Sequence, residues 1–338
     1  MHEPPFFSVV IPTYQRTELL PRAVDSVLRQ TFSDWEIIIS DDERVEGATW
    51  QLMQRLAATD PRIRITRNPG PAHGHTPNVN HAFAQARGSW IKPLWDDDEL
   101  LPECLAYFRA AIESQPDVVC VTCDGQLVKK LPPPPVAPPR PPVMAYRTES
   151  SQTLLAKYRQ EATGEGPPPR MAVRRDVVAN GVVFEDIPGI LTAPDLPWFT
   201  RIATKGPSLW IRAVLVREYQ TGQSSMTSRV SEESLDQQFA VVIRYQHDLL
   251  PPSDRRPSLA VNLQSLSLFR AAQRLKRGRP LASLRLAFGV WHPLAWYHAF
   301  RMITQRRFPL LLSPIKRQSY EIEGPTSEDM TQKGRTTP

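Results

Sequence analysis

Between Phe6 and Thr122 the chain alternates short apolar runs with stretches whose apolar residues recur every three or four positions. A strand buried on both faces reads as a continuous apolar run, and a helix packed on one face reads as the periodic kind. The expected strands occupy 6–12, 35–40, 62–66, 89–94 and 117–122, of which 62–66 is short and alternates isoleucine with arginine. Between the first two, Thr17 is placed to cap a helix carrying Leu20, Val24, Val27 and Leu28. Leu52 and Leu56 share the face of a second helix. Thr76-Pro77 reads as cap and first residue of a third, lined by Val79, Phe83 and Ala86, and Pro102 opens a fourth with Leu105, Phe108 and Ile112. This order predicts an α/β fold with a mostly parallel sheet flanked by helices. Ligands of such sheets sit outside the carboxyl ends of the strands.

The fourth run ends in Asp96-Asp97-Asp98, followed by Glu99. Adjacent carboxylates repel one another, and either solvent or a bound cation must offset that cost. The residues alone leave two readings open. One is a solvated acidic turn at the start of a helix. The other is a set of carboxylates holding Mg2+ or Mn2+ against the phosphates of a substrate.

Beyond Thr122 the composition shifts. Eight prolines in the thirteen residues 131–143 exclude helix and central strand there, so an exposed insert is expected. A strand is expected at 209–216, and helical periodicity resumes near 232. The three cysteines, Cys104, Cys120 and Cys123, exclude a disulfide framework and are expected to pack in the core of a protein from a reducing compartment. Met1-His2-Glu3-Pro4-Pro5 shows neither the basic start nor the apolar core of a signal peptide, so a cytoplasmic location is expected, with peripheral attachment to the membrane face as a further option.

The net charge of +6 is unevenly placed: 255–317 holds 13 Lys and Arg with no Asp or Glu, against 28 basic and 35 acidic residues elsewhere. The longest uncharged stretch there, 286–300, has fifteen residues, two histidines and Pro293, too short and polar to span a bilayer. Two readings stay open for this segment: an interfacial helix on an anionic membrane surface, and an ordinary helical extension packed on the main domain. No nucleic-acid recognition motif accompanies the charge, and no nucleic-acid partner is expected. The predicted organisation is a main domain at 1–230, a basic helical extension at 231–317 and a polar, disordered tail at 318–338.

Seven sequence blocks, taken in order, resemble the inverting family 2 glycosyltransferases of the GT-A (Rossmann-like) fold. They are Ser8-Val9-Val10-Ile11-Pro12-Thr13-Tyr14, Leu28-Arg29-Gln30-Thr31, and Trp35-Glu36-Ile37-Ile38-Ile39-Ser40-Asp41-Asp42. Then come Asn80 six residues before Ala86-Arg87-Gly88, Asp96-Asp97-Asp98 with Pro102 beyond, and Arg174-Arg175-Asp176-Val177 before Gly181 and Phe184. Last is Asp195-Leu196-Pro197-Trp198-Phe199-Thr200-Arg201. The resemblance covers about 6–228 and implies hexose transfer from a nucleoside diphosphate sugar, a UDP-sugar above all, to a glycan or lipid-linked acceptor. It implies nucleotide contacts from Pro12, Tyr14, Asp42, Asn80 and Asp96, a divalent metal (Mn2+ or Mg2+) on Asp97 and Asp98, and Asp195 as general base. The chain departs from the family pattern at Glu43-Arg44-Val45, where a Gly-Ser turn is usual, and at Trp95, which takes the first position of the DxD pattern. It departs again at Tyr219-Gln220-Thr221-Gly222, where Tyr-Arg-x-His is common. Those departures leave a non-catalytic scaffold of the same fold as the alternative.

Overall fold

The computed structural model describes residues 3–150, 167–191, 194–220, 231–250, 252, 255, 258–288, 290–307 and 318–324. Its sheet has the strand order β10-β7-β9-β6-β8-β4-β1-β2-β3, with β5 paired to β9 off that path. The amino-terminal half is parallel: β1 (Phe7–Thr13) lies between β2 (Trp35–Asp41) and β4 (Trp90–Pro93), and β3 (Ile63–Arg67) flanks β2. All positions of β1, β2 and β4 are buried, which is why their sequence reads as unbroken apolar runs. Alternate residues serve opposite faces. Phe7, Val9, Ile11, Ile37 and Ile39 join one core, with Leu20, Val24, Met53, Leu105 and Phe108. Val10 and Ile38 join the other, with Val79, Phe83, Trp198 and Phe199.

The helices behind those cores are α1 (Leu20–Leu28), α2 (Ala48–Ala57), α3 (His75–Ala84), α4 (Cys104–Ser114), α5 (Arg175–Ala179) and α6 (Asp195–Ala203). Their starts differ from expectation. α1 begins after Leu19 with Pro21 in its first turn, α3 after Gly74 and α4 after Glu103, and none of the three uses a side-chain cap. Thr17 and Thr76 therefore do not hold the capping positions assigned to them, and Pro102 lies two residues before the helix expected to open on it.

The second half of the sheet is mixed. β8 (Met171–Arg174) runs antiparallel to both β4 and β6 (Cys120–Val128), so it joins the parallel half to the rest. β9 (Ser208–Tyr219) is parallel to β6 and antiparallel to β7 (Val143–Thr148) and to β5 (Glu99–Leu100). Residues 129–142, which hold the proline insert, contain neither helix nor strand. The three cysteines are free and buried, as expected.

One expectation is overturned at the carboxyl side. Gln318–Ile322 forms β10, pairing antiparallel with β7 at the sheet edge, with Ile322 in the core beside partly buried Tyr320. Part of the segment expected to be a disordered tail thus completes the sheet; 325–338 lies outside the described residues. Before it come α7 (Glu232–Leu249), α8 (Leu259–Lys276), α9 (Pro280–Ala287) and α10 (Pro293–Arg307). Ser231 and Ser258 cap α7 and α8 by accepting from the backbone N–H groups of Ser234 and Val261. No described helix is long and apolar enough to cross a membrane.

Candidate active site

The sheet order places the carboxyl ends of β4, β1 and β2 side by side, and the acids collect there. Thr13, the last residue of β1, donates its hydroxyl to Asp96 Oδ2 at 2.7 Å. Asp96 is buried, and burial together with the neighbouring Asp97 carboxylate pushes its carboxyl up to about 7, against the pull of Thr13, Arg16 and the Tyr14 N–H. Asp98 is also buried and accepts from the Tyr219 backbone N–H at 3.1 Å, which ties it to the end of β9. Burial raises it well above the ordinary carboxylate range, and Asp97, Glu218 and Asp96 push the same way. Asp97 is the more open of the three; burial raises it while Arg16 and Arg22 lower it.

Arg22 reaches this cluster from α1. Its Nη2 donates to the Asp97 carbonyl oxygen at 2.5 Å, and its guanidinium lies 3.7 Å over the Tyr219 ring. The Tyr219 hydroxyl donates to Glu99 at 2.8 Å. Beneath the acids, wholly buried Lys92 donates to the carbonyls of Pro93 and Pro169, fastening the second proline cluster to β4.

Among the described residues no group of three His, Cys, Asp or Glu side chains converges as a ready-made metal cage. The donor chemistry still fits a hard divalent cation. The residues supply carboxylate oxygens, and all three carboxyls are raised first by burial, with neighbouring carboxylates adding to it at Asp96 and Asp98, so a bound cation would offset charge held out of water. Mg2+ and Mn2+ characteristically take one or two carboxylates and complete their shell with phosphates and water.

At the end of β2, Asp42 Oδ2 accepts from the Gly74 N–H at 2.6 Å and Oδ1 from Asn68 Nδ2 at 2.9 Å, with His73 Nδ1 3.3 Å from the same Oδ1. It thereby pins the 68–74 loop and the start of α3. Gly74 has φ 113°, a conformation that glycine adopts without strain. The adjoining Asn78 bridges the strand ends, donating to Thr13 O and Ser40 O while its Oδ1 accepts from the Ser40 hydroxyl at 2.6 Å. Tyr14, just past β1, is 54% exposed, so its ring face is open for stacking. Pro12 is buried within β1 opposite Ser40.

Asp195 is the first residue of α6. The residue is half-buried, and desolvation pushes its carboxyl up to about 6 against the pull of its own and the Leu196 N–H. A run of aromatic contacts links α6 to the acids. Trp95, adjacent to Asp96, meets His75 edge-on at 5.0 Å; His75 meets Phe184 at 5.8 Å; and Phe184 stacks on Trp198 at 4.7 Å. Trp198 lies three residues after Asp195, and its Nε1 donates to Val182 O at 2.9 Å. His75 is held neutral, burial pulling it down to about 4 although Asp186 and Asp42 act in the opposite sense.

The family 2 glycosyl transferase model matches residues 8–181, more than half of the chain. The chain belongs to glycosyltransferase family 2. A glucosyltransferase of Campylobacter jejuni, GalNAc(5)-diNAcBac-PP-undecaprenol beta-1,3-glucosyltransferase, is 39% identical over 102 residues, 30% of this chain and 33% of its own length. A chondroitin synthase of Pasteurella multocida is 30% identical over 121 residues, 36% of this chain and 12% of its own. The matches thus span a third or less of those relatives. S. aureus TarS in complex with UDP-GlcNAc superposes with a TM-score of 0.52 at 14% identity, covering 90% of this chain and 92% of that one. A mannosyltransferase of Pyrobaculum calidifontis in complex with GDP-Man and Mn2+ gives 0.54 at 18% identity, covering 91% and 88%. These likenesses agree on the fold, the GT-A α/β architecture.

Within this family 2 fold the expected residues fare differently. Tyr14, Asp42 and Asp96–Asp98 gather at adjacent strand ends, and Asp195 begins the helix whose Trp198 closes the aromatic run that starts at Trp95. Asn80 does not join them. Its Nδ2 donates to Phe184 O at 2.9 Å and its Oδ1 accepts from Phe184 N at 3.0 Å, so the whole amide is a clamp on residue 184 rather than a side chain offered to a nucleotide. Thr13, Arg16, Arg22 and Asn78 carry no expected site role from the sequence. Only Thr13 left a signal there, as the polar residue ending an apolar run.

Proposed function

We propose that this transferase moves a hexose from a UDP-sugar to a hydroxyl of a glycan or lipid-linked acceptor, inverting the anomeric centre, with Mn2+ or Mg2+ at Asp97 and Asp98. The observation that carries this reading is the crowding of buried carboxylates at the β4 end, between Thr13 and Tyr219. The TarS complex with UDP-GlcNAc, the mannosyltransferase complex with Mn2+ and the undecaprenol-linked acceptor in the Campylobacter enzyme's name support it.

Each residue then has a task. Tyr14 stacks on the base, and Asp42, oriented by Gly74 and Asn68, accepts a base N–H. Asp96, fixed by Thr13, accepts from the ribose hydroxyls. The cation, when bound, stabilises the negative charge developing on the departing diphosphate. Arg22 adds a fixed positive charge beside Tyr219, at the place where Gln220 provides none. Asp195, deprotonated above about pH 6, takes the proton of the acceptor hydroxyl as its oxygen attacks the anomeric carbon. His75, neutral and enclosed, keeps the wall between the two carboxylate centres free of competing charge.

Isothermal titration with UDP and GDP, with Mn2+ or with chelator, tests the nucleotide site. UDP should bind at least about tenfold more tightly with Mn2+, a difference of about 1.4 kcal/mol, and Asp97→Asn should erase the difference. Equal UDP binding in chelator would remove the metal from the scheme, and tighter GDP binding would remove the uridine preference.

A further inference from the structure

The helices α9 and α10 are packed the opposite way round from ordinary surface helices. α10 turns small residues inward: Ala295 and Ala299, one helical turn apart, are buried against Val261 and Leu268 of α8. α9 buries Ser283 and half-buries Ala287, which packs on the same cluster. The large apolar side chains face out instead. Phe288 is 93% exposed, Leu281 77% and Trp291 73%, with Leu284, Trp296 and Phe300 also exposed. A surface helix normally buries its large apolar stripe and shows polar residues to water. Scattered exposed hydrophobics need no explanation, but eight within the twenty residues 281–300, Leu294 and Tyr297 among them, share one helix–turn–helix.

We infer that α9 and α10 are an in-plane docking surface for an anionic lipid membrane. The charge around the patch selects this occupant. Residues 255–317 carry 13 Lys and Arg with no Asp or Glu, so every formal charge on α8, α9 and α10 is positive, and the acid beside them, Asp236 of α7, is taken up by Arg270 and Arg274 of α8. A lipid surface rich in anionic headgroups supplies the complementary charge and an apolar layer beneath it. A second copy of the chain would bring the same patch, and so basic residues, against basic residues across a two-fold axis. The residue types agree. Trp291 and Trp296 carry an apolar body with one polar edge, which suits the headgroup boundary. The helices lie along the surface rather than through it, since no described helix is long and apolar enough to span.

The patch is fastened to the site. α8 packs between it and α7, and α7 is tied to α6 by Gln246 Nε2 donating to the Thr200 hydroxyl at 2.8 Å. Tyr245 OH donates to Glu185 at 3.1 Å, and Gln238 Oε1 accepts from Leu191 N at 2.8 Å. A membrane under α9 and α10 would therefore hold the Asp195 helix at a fixed height above the lipid. The purpose of docking, delivery of a lipid-borne hydroxyl, rests on the transfer reading above; the binding itself needs no turnover.

The full chain should sediment with vesicles of phosphatidylcholine containing about 30% phosphatidylglycerol, and far less with phosphatidylcholine alone. Raising salt to about 0.5 M should weaken sedimentation, since the Debye length falls severalfold. Phe288→Ser with Trp291→Ser should lower the vesicle partition constant about a hundredfold, because each large side chain withdrawn from lipid is worth about a factor of ten. Arg285→Glu, a charge change outside the apolar set, should reduce it too. Both variants should keep the wild-type thermal transition, since the changed side chains are exposed. Asp195→Asn should sediment like wild type, so a failure of the catalytic reading leaves this result readable. Wild-type protein remaining in the supernatant with anionic vesicles at low salt would overturn the proposal. Equal binding to phosphatidylcholine alone would overturn the anionic assignment. A dimer in sedimentation velocity that Phe288→Ser with Trp291→Ser converts to monomer would give the patch to a second copy instead.

Discussion

Asp195→Asn should lower the transfer rate by about 10² to 10⁴-fold while leaving nucleotide affinity within about twofold, because a general base contributes that much to proton transfer and nothing to donor binding. The substitution suits the question. Asn matches the volume of Asp and is tolerated at a helix start, so α6 keeps its place and the loss is chemical. The pH profile adds a second reading. The base works deprotonated, and burial holds its pKa near about 6, so kcat/KM should rise with pH through that value and level off above it. In the variant the residual rate should lose this acidic limb. Initial rates of nucleoside diphosphate release between about pH 5 and 8 measure both effects. A rate within about tenfold of wild type, or an unmoved limb, would assign the base elsewhere.

The largest effect on stability is expected from Trp198→Ala. Trp198 is fully buried, stacks on Phe184, contacts Phe83 and Phe199, and satisfies Val182 O through its indole N–H. Truncation removes the ring, leaves a cavity and strands a buried carbonyl, a combination that costs about 3–5 kcal/mol. Trp198→Phe keeps most of the packing and loses the hydrogen bond, so it should cost about 1–2 kcal/mol. Urea unfolding followed by circular dichroism measures both, and a loss under about 1 kcal/mol for the alanine variant would show that the aromatic run is not structural. The same variant should impair transfer as well, since Trp198 holds the helix that begins at Asp195 against Phe184 and, through His75, against Trp95 beside the acids.

The parallel half of the sheet was legible in the sequence because complete burial leaves an unbroken apolar record, as in Phe7–Thr13 and Trp35–Asp41. The acids were legible for a related reason: polar residues that end such runs lie at the strand ends. Helix starts were less legible. Thr76-Pro77 has the chemistry of a cap, yet α3 starts earlier because Gly74 donates to Asp42, thirty-two positions away. Local preference lost to a contact the local sequence does not contain. Asn80 is similar, since its partner, Phe184, lies 104 positions on. β10 was hidden by composition. Gln318, Ser319 and Glu321 are polar because an edge strand exposes them, and only Tyr320 and Ile322 mark the inner face. In α9 and α10 the sequence shows helical periodicity but not which side packs, and it is the inward turn of Ala295 and Ala299 that exposes the aromatics.

The account depends on diphosphate and base acting from opposite sides of one sugar, the acids after β4 on the leaving group and Asp195 on the incoming hydroxyl. In-line displacement with that arrangement inverts the anomeric centre. Proton NMR of the first product released from an α-linked UDP-hexose, recorded before the free sugar mutarotates or on the transferred glycoside itself, reads the outcome directly. The β-anomer is the predicted product. An α-product would contradict the opposed placement of the two carboxylate centres and the role given to Asp195.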